Sequence, residues 1–102
     1  MRKIINGKKY DTETAKEMWY YQYGDWGDLF WWSEFLYRKR TGELFLYGIG
    51  GGQSKYAKSL GNGNYTTGSI IYPLTTEEAL EYCENMGVSV EIMEKLFGEF
   101  PE

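Results

Sequence analysis

Apolar and polar positions divide this chain into short extended segments followed by a helical C-terminus. Ile4-Ile5 and Lys9-Tyr10 flank Asn6-Gly7, the favoured pair for a type I′ turn, which predicts a hairpin over residues 2–10. Asp11-Thr12-Glu13-Thr14-Ala15 then reads as a helix start, with Asp11 or Thr12 capping free amides and Glu13 at the positive end of the dipole; a short helix ending near Tyr20 is expected. Two glycines and two aspartates in residues 19–28 predict a loop studded with aromatics. In residues 29–38, alternation puts Leu29, Trp31, Ser33, Phe35 and Tyr37 on one face and Phe30, Trp32, Glu34, Leu36 and Arg38 on the other. Both faces are largely apolar, as in a central strand or one with a functional outer face. Arg40-Thr41-Gly42 predicts a tight turn, and Leu44-Phe45-Leu46-Tyr47-Gly48-Ile49 the returning strand of a hairpin from Tyr37 to Ile49.

The glycine-rich stretch 48–68 reads as a long loop, and Ser69-Ile70-Ile71-Tyr72 as a short strand closed by Pro73. Thr75 and Glu78 have capping-box spacing, followed by Ala79, Tyr82, Cys83 and Met86 on one helical face up to Gly87. Ser89 opens a second helix with a stripe of Ile92, Met93, Leu96 and Phe97, ended by Gly98 and Pro101. The expected fold is a single α+β domain over residues 1–102. It has a small antiparallel sheet of about four to five strands, made of the N-terminal hairpin, the central aromatic hairpin and the strand near 69–72, with a short N-terminal helix and two C-terminal helices.

Composition narrows what such a domain can do. At 102 residues there is room for one core and no cleft between domains. Aromatics make up 19 of those residues, and ten of them fall between Trp19 and Tyr37, more than a small core absorbs. A single cysteine allows no internal disulfide, no apolar run approaches the roughly 20 residues of a membrane span, and the start Met1–Gly7 turns polar too soon for a signal peptide. A cytoplasmic protein is expected, in which the sequon Asn64-Tyr65-Thr66 would stay unmodified. Charge is unevenly spread. Residues 1–74 hold ten Lys/Arg and seven Asp/Glu, a net of +3, whereas residues 75–102 hold one Lys and eight Glu, a net of −7.

The residues offer little catalytic chemistry. There is no histidine, which removes Ser-His and Cys-His pairs and most zinc sites. Cys83 falls mid-helix on the apolar stripe and reads as a core thiol. Gly48-Ile49-Gly50-Gly51-Gly52-Gln53-Ser54-Lys55 fails both phosphate-loop patterns, with Gln-Ser-Lys where a Walker loop needs Gly-Lys-Ser/Thr and Gln53 where a dinucleotide fingerprint needs glycine. The acidic pairs Asp25/Asp28 and Glu77/Glu78/Glu81 have no cleft to face each other across. No enzymatic activity, metal, cofactor or small-molecule substrate is expected.

A resemblance adds a setting. Ile4-Ile5-Asn6-Gly7-Lys8-Lys9-Tyr10-Asp11-Thr12-Glu13-Thr14-Ala15, the run Leu36–Tyr47 and Gly50-Gly51 with Ser54-Lys55-Tyr56 resemble small proteins encoded by phages and mobile elements of Gram-positive bacteria, as does Pro73-Leu74-Thr75-Thr76-Glu77-Glu78-Ala79. Some members of that group are anti-CRISPR inhibitors of type II effector nucleases. The matching residues are turns, caps and a hairpin, and they carry over no binding residue.

Three functions follow as expectations. In the first, the protein is a non-enzymatic inhibitor that binds a bacterial type II CRISPR effector nuclease or its guide complex. Its acidic helical face would be Glu77, Glu78, Glu81, Glu84, Glu91 and Glu94, with Asp25 and Asp28 in the aromatic loop and Trp19, Tyr23 and Trp26 as anchors. In the second, Arg38, Lys39, Arg40, Lys55 and Lys58 with Tyr37 and Tyr47 hold single-stranded nucleic acid. In the third, exposed aromatics pair two copies in a homodimer.

Overall fold

The computed structural model describes residues 1–25 and 27–102. Asn6 and Gly7 take positive φ, 51° and 78°, and close β1 (Arg2–Ile5) onto β2 (Lys8–Asp11) as the Asn-Gly pair requires. The expected N-terminal helix does not form. Asp11 Oδ1 accepts a hydrogen bond from the Glu13 amide at 2.9 Å and Ala15 N–H donates to the Asp11 carbonyl at 3.1 Å, so the capping groups make one turn. The chain then extends as β3 (Lys16–Tyr23), which takes up much of the segment assigned to an aromatic loop. Trp19, Tyr20 and Tyr21 favour a pleated surface, and a partner strand is there to receive them.

That partner is β4 (Trp32–Arg38), followed by β5 (Leu44–Gly50) after a turn in which the Gly42 amide donates to the Lys39 carbonyl at 2.8 Å. The stretch read as one long loop contains a small exposed hairpin, β6 (Lys58–Gly61) and β7 (Asn64–Thr66), and leads into β8 (Gly68–Leu74). Among the described residues the strands therefore form three antiparallel sheets, not one. The hairpins β1-β2 and β6-β7 are hydrogen-bonded separately from a four-stranded sheet of order β3-β4-β5-β8. β4 is internal, as its two apolar faces predict, and has a bulged edge partner in β3 between Glu17 and Trp19.

The remaining elements are α1 (Thr76–Met86) and α2 (Val90–Phe97). The Thr75 side chain accepts from the Glu78 amide and Glu78 Oε1 accepts from the Thr75 amide, completing the capping box, while Gly87 ends α1 at φ 67°. Both helices cover one end of one sheet face. Leu36 and Leu46 pack there against Cys83 and Val88, with Trp19, Leu74 and the α2 stripe around them. The N-terminal hairpin covers the opposite face, where Tyr10 meets Phe45 and Ile71. The order of layers is thus hairpin, sheet, helices. Among the described residues, no helix is long and apolar enough to cross a membrane. Thr75→Ala removes one cap oxygen and is expected to cost about 1 kcal/mol, a fall of roughly 4–8 °C in Tm by calorimetry.

Candidate functional site

Glu34 sits mid-β4 on the helix-facing side of the sheet, between Trp32 and Leu36, and is only 2% exposed. A carboxylate in an apolar strand needs partners. Its Oε1 accepts a hydrogen bond from the Tyr82 hydroxyl of α1 at 2.6 Å. Its Oε2 accepts from the Tyr56 hydroxyl and from Lys55 Nζ, the latter at 2.8 Å. Space for the Tyr56 ring comes from Gly48, which lies opposite Glu34 on β5.

Lys55 Nζ also lies 4.0 Å from the centre of the Trp32 ring. Trp32 belongs to an aromatic row across β3 and β4. Tyr23 stacks on it at 5.7 Å, Tyr21 meets it at 5.6 Å, Trp19 stacks on Tyr21 at 6.2 Å, and Tyr82 meets Trp19 edge-on at 5.8 Å. The buried carboxylate, one end of the row and helix α1 are therefore tied together by Tyr82.

Electrostatics lock the protons in place. Burial pushes the Glu34 pKa up, but hydrogen bonds from Lys55, Tyr56 and Tyr82, with the Lys55 charge, outweigh it and hold the group below its ordinary 4.5. Burial and then the bond to Glu34 push both tyrosine hydroxyls well above their ordinary 10. Glu34 stays ionised with its oxygens occupied, and Tyr56 and Tyr82 stay donors. Such an arrangement clamps β4, the loop 51–57 and α1 together.

The glycine run is also used for packing. The Gly51 amide donates to the Trp31 carbonyl and the Gln53 amide to the Leu29 carbonyl, each at 2.9 Å, so these amides do not cradle an anion. A Cβ on Gly51 would stand 2.6 Å from the Leu29 oxygen. Cys83 is buried among Leu36, Leu46 and Val88, and burial raises its pKa. Among the described residues, no group of three His, Cys, Asp or Glu side chains could hold a metal ion.

The acidic residues Glu77, Glu78, Glu81, Glu84, Glu91 and Glu94 are all exposed on α1 and α2. Asp25 and Asp28 lie exposed between β3 and β4, where Asp28 Oδ1 accepts from the Phe30 amide at 2.9 Å and shapes the turn. Trp19 and Tyr23 are on strand β3, not in a loop. Trp19 is half-buried against α1 while Tyr23 is exposed, and Trp26 lies outside the described residues. The acidic helices and the aromatic segment, distant in sequence, thus meet at Trp19 and Tyr82.

The cationic set is divided. Arg38 Nη1 donates to the Lys95 carbonyl at 2.8 Å, and Lys39 Nζ lies 4.2 Å from the Tyr10 ring centre and 3.4 Å from Glu43. Tyr37 and Tyr47 are half-buried on the opposite face, beside Phe45, while Arg40 and Lys58 are exposed. Lys55 sits at the Trp32 end of β4, a strand of seven residues, or about 20 Å, from Arg38. These groups do not form one groove.

Glu34, Tyr56 and Tyr82 were not singled out as site residues by sequence. The available signal was a lone carboxylate in a largely apolar internal strand. Comparison with protein-family models, curated proteins and solved structures returned no match.

Proposed function

We propose that the protein is a non-enzymatic inhibitor that binds a bacterial type II CRISPR effector nuclease or its guide complex in the host cytoplasm. The observation that supports this most is the unneutralised acidic surface of α1 and α2. Six glutamates there are exposed, and the ion pairs among the described residues are made instead by Glu34 and Glu43. Effector nucleases hold guide and target in positively charged channels, which such a surface complements. The resemblance of the Asn6-Gly7 hairpin and the Thr75 cap region to phage and mobile-element proteins points to the same setting. Tyr23, 53% exposed at the end of the aromatic row, is the anchor best placed for a desolvated contact. The nucleic-acid reading is disfavoured because Arg38, Lys39 and Lys55 are committed to internal partners.

The test is sedimentation of the protein with purified type II effectors, with and without guide, across a salt series. Binding is expected at low salt and should weaken as salt rises, and Glu77→Lys with Glu81→Lys should weaken it about tenfold. No association with any effector at low salt would overturn the reading.

A further inference from the structure

We propose that the groove between α1 and α2 is a docking site for a basic amphipathic peptide segment that inserts one large apolar side chain and flanks it with lysine or arginine. This rests on the reading of the two helices as the partner-binding surface, and states what the partner must bring. Leu80 and Glu84 of α1, Val90 and Met93 of α2, and Phe100 line a groove of about 330 Å³. That is near the lower end of the roughly 300–1,000 Å³ typical of ligand pockets, room for an anchor side chain.

The lining is apolar and left open to solvent. Val90 is 68% exposed and Phe100 42%, and no residue of α2 is fully buried although its stripe packs on the core. Phe100 is held in place by an edge contact with Phe97 at 6.2 Å.

Charge selects the occupant. Glu84 forms part of the wall. Glu77 stands three residues before Leu80, and Glu94 four after Val90, so both share the stripes that border the groove. The segment 75–102 carries a net charge of −7, with Lys95 its one cation. A second copy of this chain docking through the same face would bring the same acidic rim to the groove and be repelled, as would a phosphate backbone. A cationic segment with an apolar anchor satisfies both the rim and the floor, in the manner of a helix laid in a groove.

The test uses the full chain and a fluorescent helix-forming peptide with a central leucine flanked by lysines and arginines. Two control peptides replace the leucine by serine, or the basic residues by glutamate. Anisotropy reports affinity and the Met93 methyl resonance reports place. The basic leucine peptide is expected to bind and shift Met93, and Glu84→Lys and Val90→Ser should each weaken it, the first by about tenfold. Both positions face solvent or the groove, so circular dichroism should be unchanged.

Absence of peptide binding, equal binding of the serine control, or wild-type affinity in both variants would overturn the inference. Effector binding that survives both variants would also overturn it while leaving the proposed function standing. Peptide binding at Met93 with no effector binding would uphold the groove and remove the inhibitor reading.

Discussion

Glu34→Ala is expected to destabilise the protein by about 3 kcal/mol, the low end of the range for breaking a buried ion pair. The low end applies because Lys55 is 53% exposed and can return to water, whereas Tyr82 and Tyr56 lose a charged acceptor in a half-buried setting. Urea unfolding would read the loss directly. Glu34→Gln keeps the shape and one acceptor oxygen but no charge, and should cost roughly 1–2 kcal/mol at neutral pH. The pH dependence isolates the carboxylate. Because folding holds its pKa below 4.5, folding favours the ionised form. The stability it contributes is complete above 4.5 and is lost as pH falls through the folded value. The gap between wild type and Glu34→Gln should therefore shrink in acid. A gap constant from about pH 6 to about pH 2 would mean that Glu34 is not the ionised hub of the cluster.

What could be read from sequence follows how local each determinant is. The Asn6-Gly7 turn, the Gly42 turn and the Thr75/Glu78 box are decided within a few residues, and each forms where its sequence indicates. β3 escaped because Asp11, Thr12 and Glu13 offer the same capping atoms to a single turn as to a helix. Pairing of Trp19 with Leu36 and Tyr21 with Glu34 then fixes the extended form, and that is a tertiary choice. The β6-β7 hairpin turns at Gly61-Asn62-Gly63, but its strands are wholly exposed and carry no alternation to betray them. The cluster at Glu34 was least visible, since its donors Tyr56 and Tyr82 lie 22 and 48 residues away. The acidic helices were legible as composition. Only packing shows that Trp19 brings the aromatic row to them and that Leu80 and Val90 leave a groove between them.

Gly48→Ala should be the more diagnostic lesion, because local and tertiary preferences oppose each other there. Glycine inside a strand is disfavoured by roughly 0.5–1 kcal/mol relative to alanine, and Gly48 does not have the positive φ that would require it. Local preference alone therefore predicts stabilisation. A Cβ at this position, however, would lie 2.2 Å from Tyr56 Cζ and 2.4 Å from Cε1. The ring has little room to retreat. Its hydroxyl is bound to Glu34, its amide donates to Ser54 Oγ at 3.1 Å, and its carbonyl abuts Gly68. Overpacking of about 1–3 kcal/mol, added to a displaced hydroxyl at about 1–3 kcal/mol, outweighs the backbone gain, and a net loss of roughly 2–4 kcal/mol is expected. Tyr56→Ala removes the ring and with it the clash, so Gly48→Ala in that background should cost little or stabilise slightly. The two substitutions should thus be non-additive by about 2 kcal/mol or more in a double-mutant cycle. Additive losses would show that the cost of a side chain at position 48 does not come from Tyr56.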